Sequence, residues 1–210
     1  SISENSIIAG QLREYYDLHV TGKLSVFSIL FKPQGLSMFL GLPIKEFCNR
    51  NIPLRYILKD KACELEMKLY QARSFQTRIK IAEDFLLNLL QKTRGKYDFK
   101  RIEHCIHLIN QKKGVVNIDH LAAEACLSRK QFERVFSVYI GTTPKQFLKT
   151  IRFQSSIQEK AKNSQTTLAD LTYGCGYYDQ SHMINDFQKL TGKTPKQYFD
   201  ECEPYSDYFQ

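Results

Sequence analysis

The sequence predicts a mostly α-helical protein in which two helix–turn–helix copies follow a smaller α+β region with about three strands. Three observations predict this. From about residue 75 onwards, apolar residues recur at spacings of three and four. A seven-residue segment occurs twice, 51 positions apart. A β-rich run precedes Pro33-Gln34-Gly35, and helix-like pieces follow it.

Residues 6–31 alternate in the manner of strands. Leu18 and Val20 precede the turn-like Thr21-Gly22-Lys23, and Leu24, Val26, Phe27, Ile29, Leu30 and Phe31 form the β-rich run. From Leu36 the pattern is helical, in short pieces broken at Pro43 and Pro53. A longer helix is expected over 75–91, where Ile79, Ala82, Phe85, Leu86, Leu89 and Leu90 make one apolar face. Arg94-Gly95-Lys96 reads as a linker. The expected domains are therefore 1–93, a linker at 94–97, a helical domain at 98–199 and an acidic tail at 200–210.

Beyond the linker, Ile102, Cys105, Ile106 and Ile109 mark a helix, with Asp98 its expected N-cap and Gly114 its stop. Leu121, Ala122 and Ala125 mark a second, with Asn117 placed to cap it. Ser128 caps a third, which contains Phe132, Val135 and Phe136 and ends at Gly141. Gly141-Thr142-Thr143-Pro144-Lys145-Gln146-Phe147 then recurs as Gly192-Lys193-Thr194-Pro195-Lys196-Gln197-Tyr198. Each Gly can stop one helix and each Pro can open the next. A connector at 147–162 is expected to pack both halves through Phe147, Leu148, Ile151 and Ala161.

Composition bounds the function. The chain has 210 residues, 25% charged and 42% hydrophobic, with a formal charge of +8. That excess permits a polyanionic partner, nucleic acid before membrane. It is spread evenly, +6 over residues 1–100 and +6 over 101–199, so the argument for nucleic acid rests on the repeat. No apolar run reaches the ~18 residues of a membrane span. Residues 1–10 do not read as a secretory signal, and the chain starts without Met, as a fragment would. The six cysteines form no CxxC pair and read as reduced thiols of a cytoplasmic protein.

A repeated helix–turn–helix in a basic chain points to DNA, because an exposed helix fits the major groove. Residues 98–199 also resemble the DNA-binding domain of bacterial AraC/XylS-type transcription regulators. The matching residues are Leu121-Ala122 through Ser128, Phe132, Arg134, Phe136, Gly141-Thr142-Thr143-Pro144 and Arg152-Phe153. In the second copy they are Cys175-Gly176-Tyr177, Asp179-Gln180-Ser181-His182, Phe187, Lys189 and 192–198. The resemblance implies seven helices in two subdomains, two recognition helices in successive major grooves about one helical turn (roughly 34 Å) apart, and contact with RNA polymerase. Residues 1–93 more weakly resemble the end of a sensor domain, through Phe31-Lys32-Pro33-Gln34-Gly35 and Phe39-Leu40-Gly41-Leu42-Pro43. No small-molecule effector is legible.

The expected DNA-contacting residues are Arg129, Lys130, Glu133 and Arg134 in the first recognition helix, and Gln180, Ser181, Ile184 and Asn185 in the second. Arg134 can fork onto guanine or clamp a phosphate, with a surface ion pair as its alternative. Glu133 can accept from cytosine, and Gln180 and Asn185 suit adenine. Asp179 reads as an N-cap, Phe132 and Phe136 as core, and His182 as a packed core residue. Several positions depart from the resemblance: Asn185 and Phe199 stand where Arg is common, Cys126 where Gly is frequent, and Thr172 where a small Ala is usual.

Enzyme readings fare poorly, and no metal or cofactor is expected. Glu103, His104 and His107 do not share one helix face, no nucleophile elbow or phosphate loop is present, and the four-cysteine cluster of alkylation-repair regulators is missing. The alternatives to a DNA-binding regulator are a non-catalytic protein-interaction module with a degenerate helix–turn–helix and a fused repair enzyme. The 75–91 stripe serves either a homodimer or internal packing.

Overall fold

The structure, a computed structural model, describes residues 6–16, 19, 21–23, 25–90 and 97–201. Among these it is mostly helical, with one two-stranded sheet and eleven α-helices. The chain divides into two compact units. One is drawn from Ser1–Leu12, Ile29–Lys100 and Val135–Thr142, the other from Arg13–Ser28, Arg101–Arg134 and Thr143–Gln210.

In the first unit, β1 (Ile7–Ala9) pairs antiparallel with β2 (Asn51–Pro53), with Ile8 opposite Ile52. The helices α1 (Gly35–Leu40), α2 (Leu54–Leu58), α3 (Asp60–Gln71) and α4 (Phe75–Leu90) follow the short pieces read from the prolines. A 3-10 turn at Ile44–Phe47 buries both its terminal side chains. On α4, Ala82 and Leu89 are buried while Leu87 is exposed, and the helix packs against α1 and α3. Much of the apolar stripe is thus committed to this unit's interior.

Two expectations are corrected here. The run at 25–31 forms no strand, and Val26 and Leu30 are exposed. A β-rich run becomes a strand only beside a neighbour that takes its backbone hydrogen bonds. The one sheet among the described residues is β1–β2, and 25–31 has no part in it. There are therefore two described strands, each three residues long, where about three were expected. At the turn-like break at 21–23, Gly22 takes the left-handed conformation, with φ 83°. Leu18, Val20, Leu24 and positions 94–96 of the expected 94–97 linker lie outside the described residues, while Tyr97, its last position, opens a helix instead.

The seven helices implied by the resemblance are α5 (Tyr97–Gln111), α6 (Ile118–Glu124), α7 (Arg129–Ile140), α8 (Pro144–Lys162), α9 (Leu168–Gly174), α10 (Gln180–Thr191) and α11 (Pro195–Glu201). Asp98 is not the cap of α5 but sits inside its first turn, where a negative charge complements the helix dipole. In the connector α8, Phe147 and Leu148 are buried and Ile151 is half-buried, but Ala161 is exposed near the solvated end of the helix.

The repeat holds down to its caps. Asn117 accepts from the Asp119 amide at 2.7 Å, and Thr167, fifty positions on, from the Asp170 amide at 3.1 Å. Ser128 and Gln131 cap each other's ends reciprocally, and Asp179 accepts from the His182 amide at 2.7 Å. Gly141 and Gly192 end α7 and α10 in the left-handed conformation, with φ 88° and 76°. Thr143 and Thr194 then cap the next helices through the amides of Gln146 and Gln197. The offset is 50 up to Tyr177 and 51 from Asp179, because one residue, Tyr178, is added in the second turn.

The two turns differ in one costly position. Cys126 adopts φ 52°, where its counterpart Gly176 has φ 72°. A side chain in that conformation costs about 1–2 kcal/mol, partly offset in Cys126→Gly by the freer unfolded chain. Cys126→Gly should therefore raise stability by about 0.5–1 kcal/mol. Gly176→Ala should lower it by about 2–3 kcal/mol, since its Cβ would also meet Val115 Cγ2 at 2.2 Å. Thermal unfolding of the two variants measures both signs.

Candidate nucleic-acid interface

Each recognition helix is held by side chains four residues apart. On α7 these are Phe132 and Phe136, both fully buried; on α10 they are Met183 and Phe187, at 1% and 0% exposure. Phe187 belongs to a cluster with Phe153, Leu171, Cys175, Tyr177 and Met183, flanked by Tyr198 and Phe199. Its ring meets Phe153 edge-on at 4.8 Å and Phe199 at 5.5 Å. Phe199, standing where a cation is common, thus serves packing. Thr172 is fully buried, and its hydroxyl is satisfied by donating to the Leu168 carbonyl at 2.7 Å.

Anchoring one face leaves the other open. Arg129, Lys130 and Arg134 are exposed, and Glu133 is partly exposed. At the equivalent positions of α10, Gln180, Ser181 and Asn185 are exposed and Ile184 is half-buried. Six of the eight predicted residues are therefore exposed, and Glu133 and Ile184 are partly so.

The cations of the first quartet differ in state. The Arg129 guanidinium donates to Glu133 Oε1 at 3.2 Å and pairs with Asp119 Oδ2 at 3.0 Å. The bond to Glu133, then the Asp119 charge, pushes its pKa above the ordinary arginine value. Lys130 and Arg134 have no ion-pair partner among the described residues. The surface ion pair weighed as the alternative for Arg134 does not form there.

His182 is corrected. Its side chain is 41% exposed, with the ring edge-on to Tyr177 at 5.3 Å. Position 182 lies in the first turn of α10, one step off the Met183–Phe187 line, so it borders the core without entering it.

Sequence reasoning missed one pair that positions α10. Lys149 Nζ on α8 stands 3.0 Å from Asp186 Oδ1, with side chains 14% and 7% exposed. The available signal was an acid directly beside the apolar anchor Phe187, which required a buried cation from elsewhere. The buried Cys105 thiol, by contrast, is inert: burial, then the Glu124 charge, pushes its pKa up to about 11. The five described cysteines are all free, and no group of described His, Cys, Asp and Glu side chains could hold a metal ion.

These paired frames define a class of protein: a double helix–turn–helix module. Residues 121–201 match a family model described as a helix-turn-helix domain, and residues 1–53 match one described as a domain of unknown function. An uncharacterized HTH-type transcriptional regulator of Haemophilus influenzae is 31% identical over 93 residues, which is 44% of this chain and 31% of that protein. The HTH-type transcriptional regulator MtrA of Neisseria gonorrhoeae is 29% identical over 171 residues, 75% of this chain and 56% of its own. The HTH-type transcriptional activator RhaR of Mannheimia succiniciproducens is 21% identical over 196 residues, 84% and 68% respectively. The chain spans about a third of the length of the Haemophilus protein. No solved structure matches it. Residues 121–201 are thus similar to helix-turn-helix domains, and longer stretches of the chain are similar to the HTH-type transcriptional regulators MtrA and RhaR.

Removing one partner of a buried ion pair leaves an uncompensated charge and costs about 3–5 kcal/mol. Lys149→Met should destabilise the protein by up to about that amount, because Asp186 stays buried with only the more distant His182 Nε2, 3.9 Å away, beside it. Urea unfolding measures it, and a cost below ~1 kcal/mol would place the pair in solvent.

Proposed function

We propose that this chain regulates transcription by binding duplex DNA sequence-specifically, with α7 and α10 in successive major grooves. The observation that carries the reading is the equivalence of the two open faces, 129/130/133/134 and 180/181/184/185, on helices capped at matching positions. In this reading α7 supplies phosphate attraction and guanine contact through Lys130 and Arg134. The second helix reads adenine through Gln180 and Asn185, whose amides add little long-range attraction. Arg129 is held by its two carboxylates and orients Glu133.

The domains proposed are those read from the sequence, with DNA binding in 98–199. The setting is the cytoplasm, and contact with RNA polymerase completes the role. No described helix is long and apolar enough to cross a membrane. Self-association through 75–91 is included only for the flank that α4 leaves exposed at Leu87.

The test is selection of bound sequences from a random duplex pool, followed by titration of variants. Arg134→Ala should weaken binding by about 1–3 kcal/mol and reduce the salt slope by about one. Asn185→Ala should weaken it less, leave the salt slope unchanged and relax preference at one adenine. A larger loss from Asn185→Ala, with both salt slopes unchanged, reverses the roles of the two helices. Glu133→Gln removes a charge facing phosphates and one of the two carboxylates that hold Arg129, so binding should tighten by about 1 kcal/mol and the salt slope should steepen. Weakened binding in that variant would instead mark Glu133 as a base contact.

A further inference from the structure

The last turn of a helix leaves carbonyls without partners inside the helix. In α10, Thr191 Oγ1 donates to the Phe187 carbonyl at 2.8 Å, and the Gly192 amide donates to the Gln188 carbonyl at 2.9 Å. The Lys189 carbonyl accepts from the backbone amide of Tyr15, at 3.4 Å. A residue from the start of the chain thus completes the cap of the second recognition helix. The Tyr15 ring lies over the same helix end. A Cβ on Gly192 would meet the ring at 2.6 Å from Cζ and at 2.9 Å from Cε1 and Cε2. Gly192 is therefore required twice, by its left-handed φ of 76° and by the ring above it.

The equivalent stop in the first motif is met in the same manner by a different residue. A Cβ on Gly141 would stand 3.0 Å from Ile44 Cγ2. At both stops the neighbour comes from the N-terminal part of the sequence.

We propose that Tyr15 is a positioning residue for DNA recognition by the second helix, its amide capping and its ring seating the C-terminal end of α10. The proposal rests on the DNA reading above. Met183, Phe187 and the Lys149–Asp186 pair hold the middle of α10. A rod held at its middle still tilts. Gln180 lies about 10 Å along the axis from Phe187, so a tilt of about 10° moves it by about 2 Å. Functional groups tolerate only about 0.5 Å of misplacement. A tether at the far end of α10 therefore controls where Gln180, Ser181 and Asn185 meet the base edges.

The test uses the whole chain. Duplexes enriched by the wild type are titrated with Tyr15→Ala and Tyr15→Phe, base preferences are scanned along the site, and amide hydrogen exchange is followed in α7 and α10. Tyr15→Ala should bind about tenfold more weakly, with the last turn of α10 exchanging about tenfold faster and α7 unchanged. Its base preferences should flatten in the half of the site that responds to Asn185→Ala and persist in the half that responds to Arg134→Ala. Tyr15→Phe keeps the ring and the amide and should behave as wild type. Unchanged base preferences and exchange in Tyr15→Ala overturn the proposal, as does equal loss over both halves, the mark of a global effect. If the wild type enriches no duplex, the DNA reading falls and the recognition role of Tyr15 falls with it. The exchange data then decide separately whether the Tyr15 ring seats the end of α10.

Discussion

The rotation of each recognition helix about its own axis is the constraint on which the rest depends. A helix presents one face only if the opposite face is fixed, and two buried side chains four residues apart fix it. Phe132 and Phe136 do this for α7, and Met183 and Phe187 for α10. Side chains at 129, 130 and 134, and at 180, 181 and 185, are then left exposed, with Glu133 and Ile184 partly so. The caps set where each helix begins and stops. The left-handed glycines at 141 and 192 turn the chain into the next capped helix.

Within that shared frame the two copies carry different chemistry. The first face holds three cations, of which Arg129 is engaged by Asp119 and Glu133. The second holds neutral hydrogen-bonding groups and one partly buried Ile. Long-range attraction to a phosphate backbone follows charge, whereas amides distinguish base edges only at contact. In the proposed DNA complex the same duplicated scaffold yields an anchoring helix and a reading helix. The buried Lys149–Asp186 pair belongs to this division: it spends a cation inside α8 and α10, where it steadies a helix whose outer face has none in the quartet.

Much of this was legible in the sequence because it is local. The stripe from Ile79 to Leu90, the caps at Asn117, Ser128 and Asp179, and the stops at Gly114, Gly141 and Gly192 each depend on residues within a few positions. What was not legible depends on distant partners. The β-rich run at 25–31 had strand composition, but a strand exists only with a neighbour. His182 had apolar neighbours in sequence, yet its place in the first turn of α10 leaves it at the core's edge. The partner of Asp186, Lys149, comes from another helix, and nothing near Tyr15 announces the helix end that it covers.

Chemical footprinting of an enriched duplex tests the central claim most directly. Two helices in equivalent frames, each entering the major groove, predict two clusters of major-groove purine protection on one side of the duplex. Their centres should lie one helical turn apart, about 10–10.5 base pairs. A single cluster, or protection confined to the minor groove, would contradict the account.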